Sequence, residues 1–148
     1  MPAWSRGSPA PGRRESIGVE RDALVRTGGR AVAALRVVLG LSAMISPRLA
    51  AWPWVGRSTA APAGAVLGRA AGVRDVALGA GVLVAARQGP RAERTWVTAG
   101  VFCDLVDAAT TAATWHRLPS PGRLLVTGAA TGAAAVGSLA AATLSAAD

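Results

Sequence analysis

Six charged side chains lie more than two residues from the ends of the apolar stretches in this 148-residue sequence, and their types and spacing are the ones that could do chemistry. Asp104 and Asp107 are one helical turn apart, so a helix would place both carboxylates on one face. Two carboxylates this close repel each other unless cations or protons intervene. The set predicts an intramembrane charge network made of Arg36, Arg69, Arg74, Asp75, Asp104 and Asp107.

Depth along the apolar stretches suggests which of these residues pair. At about 1.5 Å of rise per residue, Arg74 lies level with Asp107, and Arg36 lies closest to Asp104. Arg69 lies nearer one surface, where a long side chain can extend its charge toward water. Asp75 is left either to share Arg36 or to hold a proton.

Two uses of the network remain open. Charged groups inside a membrane are costly and often mark ion or substrate paths, whereas buried ion pairs can also set the register of packed helices. Guanidinium groups stay protonated in proteins, so an arginine-rich cluster suits pairing or anion binding better than proton relay.

The elements that must position these residues are four apolar stretches rich in Ala and Gly, at 31–49, 66–86, 96–115 and 124–147. Each is close to the ~20 residues needed to cross a bilayer as a helix. Residues 1–29 are rich in Arg, Pro, Gly and Ser, which predicts a disordered tail. The sequence therefore predicts an all-α, four-transmembrane-helix bundle over residues 30–148, preceded by a disordered basic N-terminal tail.

The distribution of arginine predicts the orientation. Nine arginines lie in the tail region and in the loop between the second and third stretches, against four in the other two loops. The positive-inside rule then places both termini in the cytoplasm of a multi-pass inner-membrane protein. The excess positive charge flanks the apolar stretches, so the lipid bilayer and not nucleic acid is the expected partner.

Tryptophans mark the ends of the stretches. Trp52, Trp54, Trp96 and Trp115 all fall there, as expected of interfacial anchors at headgroup level. The alternative is a soluble, Ala-rich helical bundle, whose core tryptophans would fall in the middle of helices.

Small residues predict where helices pack closely. Gly68, Gly72 and Gly79 form a stripe on the second stretch, and Gly128 and Gly132 form a G-x-x-x-G face on the fourth. The second motif also imitates the dinucleotide-binding loop of short-chain dehydrogenases. That interpretation fails because no βαβ unit can follow in the few Ala-rich residues that remain.

The sequence contains few other residues that could form disulfides, bind a metal or act in catalysis. Cys103 is the sole cysteine and His116 the sole histidine, so no disulfide framework, metal site or nucleophile–histidine pair can be assembled. We expect no cofactor and no enzymatic activity.

Three segments carry a resemblance. The G-V-R-D-V-A-L-G motif at 72–79, the L-R-V-V-L-G and S-P-R pattern over 35–48, and D-L-V-D at 104–107 resemble a bacterial domain-of-unknown-function family of small four-helix membrane proteins, common in actinobacteria. The chain is also remotely similar to DoxX-like membrane proteins. The resemblance spans about 30–142 and implies the architecture alone.

These observations predict a structural or accessory membrane subunit, associated with further copies of itself or with a membrane partner. Two alternatives stay open. One is a small transporter or channel subunit that uses the Asp104/Asp107 face, and the other is a DoxX-like redox accessory that binds a quinone or lipid.

Overall fold

The regular structure of this protein is helical wherever it is described. A computed structural model describes residues 11–56 and 62–146, and within those ranges it contains no strand. The α-helices are α1 (Pro11–Ile45), α2 (Pro47–Val55), α3 (Pro62–Ala85), α4 (Pro90–Ala113) and α5 (Ser120–Ser145), and a short 3₁₀ helix, Trp115–Arg117, precedes α5.

Proline sets where several helices begin. α2, α4 and α5 each have a proline in the first two positions, where the missing N–H costs no hydrogen bond. The turn between α3 and α4 uses Gly89 at φ +125°, a conformation that L side chains rarely adopt. This turn at 86–89 joins two helices that must run in opposite directions.

The prediction of a disordered tail is wrong for residues 11–29, because α1 runs through them without a break. Two consecutive glycines in this part of α1, Gly28 and Gly29, pack against α5. A Cβ on Gly29 would lie 3.0 Å from the Ala140 Cβ, and one on Gly28 would lie 3.7 Å from Val136. Close helix contact therefore outweighs the low helix propensity of glycine here. Residues 1–10 lie outside the described residues.

The boundaries of the predicted spans also change. The stretch 31–49 is interrupted at Ser46, because the ring of Pro47 fits only the first turn of a new helix. α3 starts four residues before the predicted 66 and ends one before 86. α4 ends at Ala113, so Trp115 lies beyond it, and α5 begins at Ser120 in place of 124.

The four long helices contact one another in a ring. α1 packs most extensively against α3 and α4 against α5, while α3–α4 and α1–α5 contacts join the two pairs. α2 lies against α1, α3 and α5. α1 and α4 therefore lie across the ring from each other.

Glycines set the spacing of α1 and α3. A Cβ on Gly72 would lie 2.6 Å from the Gly40 carbonyl oxygen, and one on Gly79 would collide with the Ala33 carbonyl oxygen. Gly68 meets Pro47, at the start of α2, with a corresponding distance of 3.0 Å. The stripe of small residues predicted on the second stretch thus lies at a helix contact.

Gly128 and Gly132, predicted as packing residues, do not pack against another helix within the described part of the chain. Both are exposed, and a Cβ on either would meet nothing within 4 Å. α5 instead buries Gly122 and, from Ala130 onward, residues at spacings of three and four: Ala130, Ala134, Gly137, Ala140 and Leu144. Within it, Gly137 admits the side chain of Val101.

Two helices in the described part of the chain are long and apolar enough to cross a membrane, at Gly18–Ile45 and Ser120–Ser145. α3 and α4 carry five of the six charged residues of the predicted network. Length and composition alone therefore single out only α1 and α5.

Most large apolar side chains face outward, among them Leu39, Phe102 and Leu125, which are 55%, 67% and 60% exposed. The buried residues include five alanines, three polar residues and four larger apolar residues: Glu93, Asp104, Thr111, Leu78, Val82, Val97 and Leu144. This distribution is largely the reverse of that of a water-soluble protein, which buries most of its Leu, Ile and Phe.

We expect Gly72→Ala and Gly79→Ala to destabilise the protein by about 1–3 kcal/mol each, because the added methyl group has to displace backbone. Gly128→Ala is the matched control and should leave stability unchanged or slightly raised, since it adds only helix propensity. The measurement is the midpoint of SDS unfolding, followed by tryptophan fluorescence. Equal effects at all three positions would contradict the packing described here.

Candidate functional site

Arg36 reaches across the interior of the helix ring from α1 to α4. Its Nη2 donates to Asp104 Oδ2 and, at 3.4 Å, to the Gly100 carbonyl oxygen. Its Nη1 donates to Asp75 Oδ1 at 3.4 Å. The side chains of Arg36 and Asp104 are both largely buried, so each depends on the other for electrostatic stabilisation.

Arg74 forms the second centre of the same cluster. Its Nη1 and Nη2 donate to the two carboxylate oxygens of Asp107 at 3.1 and 2.7 Å, a bidentate pair. Its Nε and Nη2 also donate to Asp75 Oδ1, at 3.3 and 3.2 Å. Asp75 thus bridges both arginines. We call these five residues the Arg–Asp network: Arg36, Arg74, Asp75, Asp104 and Asp107.

Small residues make room for the Arg36 side chain to extend from α1 to α4. A Cβ on Gly79 would lie 3.2 Å from the Arg36 Cβ, and one on Gly100 would lie 3.7 Å from its Nη2. The guanidinium therefore passes beside α3 and over the backbone of α4 without steric conflict. The glycines that bring the helices together also leave the space in which the charges meet.

Arg69 lies apart from the network, although the sequence suggested it as a member. Its side chain is exposed, and its Nε donates to the Met44 carbonyl oxygen at 3.3 Å. Among the described residues it has no carboxylate partner. The network consequently contains two guanidinium groups and three carboxylates, where the sequence had suggested equal numbers.

A second buried ion pair, between Arg30 and Glu93, was not predicted. Arg30 Nε and Nη2 donate to the two Glu93 carboxylate oxygens at 2.8 and 2.9 Å. The Glu93 side chain is 4% exposed and that of Arg30 46%. The signal was present, because an acid stands at the start of α4 and an arginine at the start of an apolar stretch. It was missed because both residues were assigned outside the spans.

A cavity of about 30 Å³ adjoins the network, lined in part by Arg36, Asp104, Trp96 and Val97. This volume holds about one or two water molecules. A substrate-sized ligand does not fit there, so the arrangement can hold charges and water but encloses no organic molecule.

The predicted interfacial tryptophans differ in their surroundings. Trp52 is 55% exposed, and the side chain of Trp54 lies outside the described residues. Trp96 covers Gly81, whose missing side chain makes room for the indole ring. Trp115 lies under the Arg123 guanidinium, 4.9 Å from the ring centroid, which is a cation–π contact.

We expect Arg30→Gln to cost more stability than Glu93→Gln. The first change leaves a buried carboxylate without its cation, at about 3–5 kcal/mol. The second leaves a half-exposed arginine that can reach water, at about 1 kcal/mol. Arg94→Gln, at a neighbouring exposed arginine, is the control and should have no effect. SDS unfolding midpoints measure all three, and a reversed order of the first two would contradict the assigned burial.

No protein-family model, curated protein or solved structure matches this chain.

Proposed function

We propose that this chain is an integral inner-membrane protein that crosses the bilayer four times and serves as a structural or accessory subunit, without enzymatic activity. The observation that carries the proposal is the reversed distribution of side chains. Most of the Leu residues, together with Phe102 and many of the valines, lie on the outside of the helices, while the inside holds mainly alanine, glycine, ion pairs and a few larger apolar side chains. Exposing that much apolar surface to water is unfavourable, and lipid removes the cost.

Four crossings are consistent with the charges on α3 and α4. A charge at the bilayer centre costs about 2.5–3.5 kcal/mol on the insertion scale, which explains why composition alone singles out only two spans. In the folded chain, Asp104 and Asp107 are paired with arginines and turned toward other helices. α3 and α4 each have 24 residues, which exceeds the ~20 needed to cross.

The proposed subunit role rests on the ion pairing within the Arg–Asp network. Each guanidinium contacts two carboxylates, and the three helices that hold them are thereby fixed in register. We therefore interpret the network as internal stabilisation of a membrane protein that acts through association, either with further copies of itself or with a membrane partner. The likeness to small four-helix membrane proteins of actinobacteria agrees with this role and stays a prediction.

One observation favours the transporter alternative. The cavity beside Arg36 and Asp104 has room for water, and the network has one more carboxylate than guanidinium groups. A water-accessible carboxylate inside the bilayer is the usual element of an ion path. The DoxX-like redox alternative gains no such support from the described residues.

Cysteine labelling tests the topology. In a Cys103→Ser background, we expect Arg117→Cys to react with a membrane-impermeant maleimide in intact spheroplasts. Gln88→Cys, in the α3–α4 turn, should react only after lysis, because the positive-inside rule places that turn in the cytoplasm. Both positions are exposed, so they form a matched pair. Reaction of both in intact spheroplasts would overturn the four-span arrangement.

Carboxylate variants distinguish the structural role from transport. We expect Asp107→Asn to cost about 3 kcal/mol, because Arg74 loses its bidentate partner. Asp75→Asn should cost about 1 kcal/mol or less, because each arginine keeps its other carboxylate. SDS unfolding gives the stabilities.

The double exchange Arg74→Asp with Asp107→Arg should recover part of the loss if pairing is the purpose. The transporter predicts a different outcome. Asp104→Asn and Asp107→Asn would then fold normally yet abolish ion flux in proteoliposomes, and that result would replace the structural proposal.

A further inference from the structure

A cleft of about 300 Å³ opens where α1 ends, α2 begins and the first turns of α3 pass. It lies apart from the Arg–Asp network and from the small cavity beside it. Among the described residues, its lining contains two arginines and no acidic residue: Ile45, Ser46, Pro47, Arg48, Ala65 and Arg69.

The break at Ser46 builds this cleft. Pro47 is buried and packs on Gly68, whose Cβ would lie 3.0 Å from the Pro47 Cβ. This contact holds the first turn of α2 against α3, and so Arg48 and Arg69 line the same cleft. The carbonyl oxygen of Met44 accepts the Nε–H of Arg69, which leaves the terminal N–H groups of that guanidinium available.

Neither arginine has a carboxylate partner among the described residues. Asp75, on α3 like Arg69, is already shared by Arg36 and Arg74. Two like charges that share a cleft repel each other, and a bound anion relieves that repulsion. The Ser46 side chain makes no capping hydrogen bond, so its hydroxyl is a further available donor.

We propose that the cleft binds a phosphate group through Arg48 and Arg69. The planar guanidinium fork matches two phosphate oxygens at once, so a pair of arginines recognises this anion in preference to a single-point acceptor such as chloride.

A phospholipid headgroup is the expected source of that phosphate. Ile45 lines the cleft, and Leu49 follows Arg48 in the sequence. Their side chains are 81% and 77% exposed and offer apolar surface to acyl chains. Trp52, which lies on α2 together with Leu49, is also exposed, as expected of a tryptophan that contacts headgroups. The lipid source rests on the proposed membrane location, whereas recognition of phosphate does not.

Native mass spectrometry of the full chain in non-ionic detergent tests the site, with phosphatidylglycerol and inorganic phosphate as separate probes. We expect one phosphatidylglycerol per chain, bound about fivefold more weakly by Arg48→Gln and about 25-fold more weakly by Arg48→Gln/Arg69→Gln. The control Arg87→Gln/Arg117→Gln removes the same charge at exposed positions elsewhere and should bind like the wild type. Diacylglycerol, which lacks phosphate, should not be retained.

The outcomes separate the two sources. If inorganic phosphate binds with the same sensitivity to the variants and displaces the lipid, the cleft is a site for free phosphate, which supports the phosphate chemistry and rejects the lipid source. Equal weakening in the cleft variant and the control overturns the site, as does a wild type that retains neither probe. Should the double variant fail to fold, Arg48→Gln decides alone, because that side chain makes no hydrogen bond or ion pair with the described residues. The cysteine labelling reports the membrane location independently.

Discussion

Every charge placed among apolar helices needs a partner of opposite sign, and the interior of this protein is arranged around that constraint. Leaving one member of a buried pair alone costs about 3–5 kcal/mol, comparable to a large part of the stability of a small domain. Arg36 and Arg74 each engage two carboxylates, and Asp75 belongs to both sets. The three helices α1, α3 and α4 are thereby held in one register along their axes.

Small residues make that pairing possible. Gly72 and Gly79 let α3 approach α1 until backbone meets backbone, which brings the arginine of one helix beside the aspartate of the next. Gly100 clears the path by which Arg36 crosses the ring to α4. Dispersion between closely packed backbones takes the place of the large apolar core that a water-soluble bundle would have. The bulky side chains are then free to face outward.

Two groups of arginines have different physical roles. Arg36, Arg74 and Arg30 are neutralised by carboxylates of the same chain and stabilise the fold. Arg48 and Arg69 line one cleft and have no carboxylate partner in the described part of the chain, which leaves them available to an external anion. Burial and pairing, more than residue type, therefore decide which arginines support the structure and which can serve recognition.

Composition and spacing by themselves determined that the chain is helical and that charged residues at similar positions along neighbouring helices would meet. Arg36 does contact Asp104, and Arg74 does contact Asp107. Tertiary structure alone decided that α1 continues through Gly28 and Gly29, because a contact with α5 offsets a weak local propensity.

Tertiary structure alone also decided that Arg69 lies apart from the network, that Arg30 pairs with Glu93, and that Gly128 faces outward. The physical reason is the same in each case. Alanine and glycine recur on both the packed and the exposed sides of these helices, so hydrophobic periodicity barely distinguishes the side that packs, and only the fit of one helix against another selects it.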